Sequence, residues 1–321
     1  MRLLHLLLIF FISLSAFAQT TSLTPSQTTD TLKKKPVSAW KRTNMVGFDL
    51  NEIAFFNWSP GGVSSVSGLL RGKFTRIKRT ANTKFSNELL AKYGINKQEN
   101  TESRKTDDEV KFTSTYGYKA DSTSNWYHSA KFNYNTQFTN GYKYPNKDVA
   151  VSKSLAPAYT FFGIGAEYSV PEDKINVYLS PLTMKNTWVL SQRLANQGAF
   201  GVEPAIRDSI TGNVIKKGKL SRTEVGILVT THIKRQVFKN IEMENRLSLY
   251  TDYINKFGNI DVDWQLTVDF IVNEYIKANI GLHMVYDDDV KAKEEIDGKQ
   301  VTLGPKIQVK QSLGIGFQYK F

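Results

Sequence analysis

The sequence predicts an all-β protein, an antiparallel transmembrane β-barrel of about twelve strands with a range of ten to fourteen, and three observations carry that prediction. The first is the C-terminal stretch. Ile307, Val309, Leu313, Ile315, Phe317, Tyr319 and Phe321 alternate with Lys306, Gln308, Lys310, Ser312, Gly314, Gly316, Gln318 and Lys320, a strand with one apolar and one polar face that ends on an aromatic residue. The second is the N-terminus, where Arg2, the apolar run Leu3 to Leu14 and Ala16-Phe17-Ala18 before Gln19 have the form of a cleavable export signal. The third is the recurrence of alternating segments along the rest of the chain, joined by even links that are short and odd links of which four in six are long, those around Ser59-Pro60-Gly61-Gly62 and Phe257-Gly258-Asn259 being short.

In chain order, residues 1–18 are expected to be the signal peptide. Their apolar run falls short of the roughly twenty residues a spanning helix needs. Residues 19–43, rich in Ser and Thr and carrying Lys33-Lys34-Lys35-Pro36, read as a flexible periplasmic leader. Residues 44–321 form the expected barrel. Its strands are predicted at approximately 44–57, 63–78, 82–97, 107–120, 126–142, 153–170, 174–192, 221–238, 241–256, 260–273, 276–290 and 304–321. The apolar rows Phe85, Leu89, Ala91, Tyr93, Ile95, then Val110, Phe112, Tyr116, Tyr118, then Val225, Ile227, Val229, Ile233, and Val262 to Val272 in steps of two are the candidate lipid stripes. Trp126, Tyr127, Tyr142, Tyr144, Tyr275 and Tyr286 near strand ends suggest interfacial girdles.

The even links are brief, as at Lys239-Asn240 and Glu274-Tyr275. Four of the odd links, Gln98 to Thr106, Lys143 to Ser152, Arg193 to Leu220 and Lys291 to Leu303, are long and polar, the pattern of periplasmic turns and external loops. Because many segments exceed the roughly nine to eleven residues that cross a bilayer as a tilted strand, the barrel is expected to project beyond it. The Arg193–Leu220 link opens with Leu194, Ala195, Ala199, Phe200 and Val202, too apolar for a solvated tip. It is expected either to fold into the mouth as a constriction or to pack over neighbouring loops.

Lys and Arg number 42 against 30 Asp and Glu. The basic residues are scattered and no nucleic-acid motif accompanies them, so phosphate-bearing lipids or anionic solutes are the expected partners, and nucleic acid is not. The absence of cysteine excludes disulfides, thiolate chemistry and a lipoprotein anchor.

Several short stretches resemble the Bacteroidetes domain of unknown function family numbered 3078. They include Phe56-Asn57-Trp58-Ser59-Pro60-Gly61-Gly62, Arg104-Lys105-Thr106-Asp107-Asp108, Tyr116-Gly117-Tyr118-Lys119-Ala120 and Gly141-Tyr142-Lys143-Tyr144-Pro145. Further on are Leu155-Ala156-Pro157, Leu179-Ser180-Pro181-Leu182-Thr183, Gly198-Ala199-Phe200-Gly201-Val202, Asn259 to Trp264 and Tyr286-Asp287-Asp288-Asp289, so that the likeness extends over nearly the whole mature chain. The resemblance implies a bacterial outer-membrane setting and brings no catalytic residue, ligand or cofactor.

Beyond the signal, His128, His232 and His283 are a thin supply for acid–base chemistry, and a lumenal His more often belongs to a polar network than to a catalyst. No catalytic residue and no cofactor is assigned. Asp287, Asp288 and Asp289 are weak metal candidates, since hard oxygens cluster there without a spaced ligand loop and with Lys291 and Lys293 interleaved. Gly163-x-Gly165 and Gly314-x-Gly316 lie inside strands and are expected to permit curvature or close packing. Centring one turn on Lys239 and the next between Phe257 and Gly258 sets His232 opposite Arg246 and Arg246 opposite Asp269. That predicts an inward polar layer of His232, Arg246 and Asp269, with Arg246 paired to Asp269.

These features favour a narrow or plugged pore that binds or passes a small polar solute. The alternatives are a structural or assembly barrel acting through its loops, a barrel enzyme on lipid or surface polymer, and a soluble antiparallel β-protein.

Overall fold

A computed structural model describes residues 40–53, 63–170, 174–255, 257–296 and 299–321. The expected signal, most of the leader and the Ser59-Pro60-Gly61-Gly62 link lie outside the described residues. Strands form at β1 (Lys41–Ile53), β2 (Ser65–Arg79), β3 (Thr83–Gln98), β4 (Arg104–Tyr118), β5 (Trp126–Thr136), β6 (Gly141–Tyr142), β7 (Ala150–Ser152), β8 (Ala158–Val170) and β9 (Ile175–Trp188). After a short helix at Gln192–Asn196 come β10 (Ile206–Arg207), β11 (Val214–Lys216), β12 (Ser221–Phe238), β13 (Ile241–Asp252), β14 (Asp261–Ile271), β15 (Ile276–Tyr286), β16 (Lys291–Ile296), β17 (Lys299–Pro305) and β18 (Gln308–Lys320). Twelve of them close an antiparallel barrel in the order β1-β18-β15-β14-β13-β12-β9-β8-β5-β4-β3-β2. The other six make three small hairpins within the long links.

The turns at one end close on local side-chain bonds. Thr80 Oγ1 accepts from the Thr83 amide at 2.9 Å, Asp121 Oδ1 accepts from the Thr123 amide at 2.8 Å, and Asn273 Oδ1 accepts from the amides of Tyr275 and Ile276 at 2.9 and 2.8 Å. Asn240 takes a left-handed φ of 62° in the two-residue link between β12 and β13, the conformation a tight hairpin demands. The opposite end carries the long links.

Alternation sets the two faces of the wall. Val46, Phe48 and Leu50 on β1, Phe85, Leu89, Tyr93 and Ile95 on β3, Tyr116 and Tyr118 on β4, and Val309, Leu313, Ile315, Phe317 and Tyr319 on β18 point outward and are exposed. Lys84, Lys131, Glu167, Lys185, Glu224, Asp269 and Lys277 point inward and are buried. An apolar outside with a charged inside is the reverse of a soluble barrel.

One irregularity crosses three strands. Leu179-Ser180-Pro181-Leu182-Thr183 bulges, shifting register against both β8 and β12. A Cβ on Gly165 would lie 2.0 Å from the Leu179 carbonyl and one on Gly163 would lie 2.6 Å from Thr183 Oγ1, so both glycines serve close packing, as expected. Gly316 does the same beside Asp49, where a Cβ would lie 2.1 Å from Asp49 Oδ1.

Strand ends differ from the expectation where loops reclaim residues. The strand predicted over 126–142 stops at Thr136, because β6 pairs with β7 instead of joining the wall, and the one predicted over 153–170 starts at Ala158, because Lys153 and Ala156 bridge to each other. Of the proposed girdle, Trp126 and Tyr275 are exposed, with Trp126 tilted on Tyr168 at 5.1 Å. Tyr127 instead turns inward, its ring under Lys119 and Lys84 at 5.1 and 5.9 Å, and Tyr142 and Tyr144 meet in the long β5–β8 link. The Arg193–Leu220 link buries Val189, Leu194, Ala195 and Val202 against Ala156, and Arg193 donates to the Ala150 carbonyl. It packs over the β5–β8 link, the second of the two expectations.

Candidate functional site

The inward residues divide the lumen into three parts. Towards the long-link end is a cavity of about 390 Å³, within the roughly 300–1,000 Å³ typical of small-molecule sites. Its charged lining is paired along the wall: Arg71 with Asp49 at 2.7 Å, Lys92 with Glu109 at 3.3 Å, and His283 with Asp263 at 2.9 Å, each between adjacent strands. Lys310 reaches from β18 to Asp107 of β4 at 2.5 Å across the rim. Asn135, Gln137, Tyr159, Gln265, Thr267 and Ser312 supply uncharged polar groups to the same cavity.

Below the cavity the side chains cross the lumen. Arg246 Nη1 of β13 lies 3.2 Å from Glu88 Oε1 of β3, and five strands separate β13 from β3 whichever way the wall is followed. This ion pair therefore spans a diameter. Glu244 anchors it by accepting from Arg246 Nε at 2.7 Å and meeting His232 Nε2 at 3.0 Å, while Lys73 approaches Glu88 at 3.3 Å. Lys84 of β3 crosses to Glu167 of β8 at 2.6 Å, and Lys131 of β5 donates to Thr230 Oγ1 of β12 at 3.0 Å. Glu167 also accepts from Ser129 at 3.2 Å and from Asn176, so its buried charge is fully engaged.

The third part is an apolar filling on one flank. Tyr178, Leu228 and Tyr250 are buried, with Phe161 packed on them. They come from the consecutive wall strands β8, β9, β12 and β13. Lysine ammoniums cap two of the rings, Lys131 over Tyr178 at 4.3 Å and Lys185 over Tyr250 at 5.0 Å.

Of the predicted polar layer, His232 and Arg246 do stand opposite each other and both face inward. Arg246 stands opposite Gln265, however, and Asp269 stands opposite Glu242. Asp269 pairs with Lys277 at 2.6 Å instead, and Arg246 with Glu244 and Glu88. The cause is the β13–β14 link. Asp252 accepts from the amides of Ile254 and Asn255 at 2.9 and 3.3 Å, so the chain turns sooner than a hairpin centred on Phe257-Gly258 would. An even shift in register keeps every side chain on its face and changes only its partner.

Asp287, Asp288 and Asp289 do not converge. Asp289 meets Arg222 at 2.7 Å, Asp288 accepts from Asn259 at 3.0 Å, and Asp287 lies 4.0 Å from Lys185. Burial pushes the Asp287 carboxyl up from its ordinary value, against the pull of Lys185. Among the described residues no three His, Asp or Glu are arranged to hold a metal ion. His128 is exposed on the outward face.

Nothing local in the sequence singles out Glu88, Glu244, Lys73, Lys84 and Glu167. Their inward positions are legible from alternation, but partners three or six strands away become visible only when the wall closes. The aromatic filling left a clearer trace. Phe161, Tyr178, Leu228 and Tyr250 each interrupt an otherwise polar inward row.

The architecture defines the class: a closed twelve-stranded antiparallel barrel with an apolar exterior and an ion-paired lumen. The family described as "Protein of unknown function (DUF3078)" matches residues 50–142, the same family that the short stretches quoted from the sequence resemble. The motifs from Leu155 onward lie beyond that match. No curated protein matches the chain. Among solved structures it is similar to the translocator domain of autotransporter NalP from Neisseria meningitidis, at 12% identity over 90% of this chain and 91% of that one, with a TM-score of 0.37. It is also similar to the COG4313 outer membrane channel from Pseudomonas putida F1, at 11% identity over 92% and 100% of the two chains, TM-score 0.39. A third is the NanC porin, at 10% identity over 87% and 100%, TM-score 0.36.

Proposed function

We propose that the protein is an outer-membrane barrel whose lumen is a vestibule closed at its base, holding a small polar solute that enters from the long-link end. The outward apolar rows support membrane residence, and short turns opposite long links support an orientation with the turns in the periplasm. The single observation that carries the closed base is the Glu88–Arg246 pair across the diameter. The solute class follows from the vestibule wall. Each arginine and lysine of that wall already meets a carboxylate, so the excess of basic residues in the chain is not expressed there, and an anion would have to break a pair to gain a cation. A neutral or zwitterionic solute can use the amides and hydroxyls without that cost.

Binding of neutral sugars and of zwitterionic amino acids to the refolded barrel, followed by calorimetry, tests this reading together with swelling of vesicles containing the barrel. The expected result is binding without rapid swelling. Free passage of sugars into the vesicles contradicts the closed base.

A second reading has its own support. The Arg193–Leu220 link packs Leu194, Ala195 and Val202 into a small core with Ala156 and Val189, the kind of rigid platform a structural or assembly barrel would present to a partner. A barrel that binds no solute yet loses its cellular role when this link is shortened would favour it. The enzyme alternative is weakest, because His232 and His283 hydrogen-bond carboxylates and, in Gln265, an amide; a nucleophilic hydroxyl is not among the partners described for either. Retained activity of His232→Ala and His283→Ala variants on any lipid substrate found would dismiss those histidines as its catalysts.

A further inference from the structure

The outward face of β1, β2 and β3 at the short-turn end breaks the apolar rule of the wall. The strand registers set Arg42 directly opposite Arg76, and Arg76 directly opposite Asn87, in one row across three strands. Two residues along β2 on the same face, Lys78 stands opposite Phe85, and the Trp40 ring meets Phe85 edge-on at 5.7 Å. Towards the middle of the wall the rows turn apolar, through Phe74 with Leu89 and then Phe48 with Leu70 and Tyr93.

Directly opposed side chains on antiparallel strands have Cβ atoms roughly 4.5–5.5 Å apart, where like charges repel. Elsewhere this chain sets acids against bases at such positions, as in Lys92 opposite Glu109 and Lys234 opposite Glu244, and where like charges do oppose, as in Arg71 opposite Lys92 and Glu242 opposite Asp269, each has an ion-pair partner of the other sign. Here it does not. Among the described residues none of Arg42, Arg76 and Lys78 forms an ion pair with a carboxylate, and Arg76 Nη1 donates only to the Thr75 carbonyl beside it at 2.9 Å. Arg42 is exposed, and Arg76 and Lys78 are half-buried. Two uncompensated arginines thus stand between an aromatic pair, the usual marker of headgroup depth, and the apolar wall, with the uncompensated Lys78 level with that pair. Guanidinium forks at that depth match the oxygens of a phosphodiester.

We infer that Arg42, Arg76 and Lys78 form a binding site for the phosphate of an anionic phospholipid, in the leaflet level with the short turns. The site rests on the membrane placement proposed above. It explains why two arginines are tolerated face to face: the lipid phosphate supplies the anion that the protein withholds.

The test refolds the full chain into phosphatidylcholine vesicles containing a minor share of phosphatidylglycerol, extracts it in mild detergent and counts retained lipids by native mass spectrometry. Wild type and the control Arg235→Gln, a lone outward arginine on β12, should retain phosphatidylglycerol in preference to phosphatidylcholine. The triple variant Arg42→Gln/Arg76→Gln/Lys78→Gln should lose most of it, a drop of several-fold. Equal retention by the triple variant, or equal retention of the two lipids by wild type, overturns the site. Should the triple variant not fold, the wild-type chain decides through modification by phenylglyoxal. Arg42 and Arg76 should be protected in vesicles containing phosphatidylglycerol and modified in pure phosphatidylcholine. Equal modification in both overturns the site, and equal protection by inorganic phosphate alone overturns a lipid as its occupant. A chain that fails to insert into either vesicle contradicts the membrane placement instead, whereas one that inserts and retains no lipid contradicts this site alone.

Discussion

The two halves of the lumen are built from the same kinds of side chain and do opposite things. Around the vestibule, Asp49 and Arg71, Lys92 and Glu109, and Asp263 and His283 pair between adjacent strands, so the side chains lie along the wall and the centre stays open. At the base, Glu88 and Arg246 pair across the diameter, and Lys84 with Glu167 and Lys131 with Thr230 pair across three steps of the wall, so the centre fills. Longer pairs occur at the long-link end as well, Lys310 with Asp107 four steps and Lys185 with Asp261 three steps round the wall, so what sets the base apart is the Glu88–Arg246 pair, which joins strands six steps apart.

The largest stability difference between the halves should come from Glu167→Gln. Its carboxylate is 2% exposed and holds Lys84, itself nearly buried, so breaking the pair strands an ammonium at the base. The expected loss is roughly 3–5 kcal/mol in a reversible folding assay. A loss no larger than that of a vestibule pair would erase the distinction drawn here.

Next in size, Val268→Arg and Thr267→Arg place the same charge on neighbouring residues of β14 that face opposite ways. Thr267 lines the vestibule, whereas Val268 stands outward between Met243 and Ile280. The outward variant should cost about 2–4 kcal/mol if it lies near the bilayer midplane, and the inward one much less, because an arginine there enters an aqueous cavity. Equal destabilisation would contradict the assigned faces.

The smallest effect is expected from Lys92→Ala/Glu109→Ala. Both side chains are about a fifth to a quarter exposed and neither reaches beyond its neighbouring strand, so removing both should cost about 1 kcal/mol or less. A loss matching Glu167→Gln would show that the vestibule wall is as dependent on its pairs as the base.

Much of this fold is legible in the sequence, and the reason is periodicity. Val262 to Val272, or Val309 to Phe321, declares a face without reference to any other strand, and twelve such rows joined by even links that are short and odd links that are mostly long require a closed wall. Side chains on the polar face are a different matter. The pairing of His232 with Arg246 is legible because a two-residue link at Lys239-Asn240 fixes its own register. The partner of Arg246 on β14 is not, because the longer β13–β14 link is shaped by Asp252, whose turn-forming bonds cannot be counted from spacing, and Gln265 stands there in place of the expected Asp269. Partners that lie across the lumen, such as Glu88 for Arg246, depend on closure and stagger of the whole barrel, which no local pattern records.

The central claim is that pairs across the diameter, and not pairs along the wall, close this pore. Planar-bilayer recordings of wild type, Glu88→Ala/Arg246→Ala and Lys92→Ala/Glu109→Ala test it most directly. The account predicts little or no steady conductance for wild type, a clear rise of several-fold for the Glu88/Arg246 double variant, and no change for the Lys92/Glu109 one. A wild-type channel already open, or one that the two double variants alter equally, would contradict it.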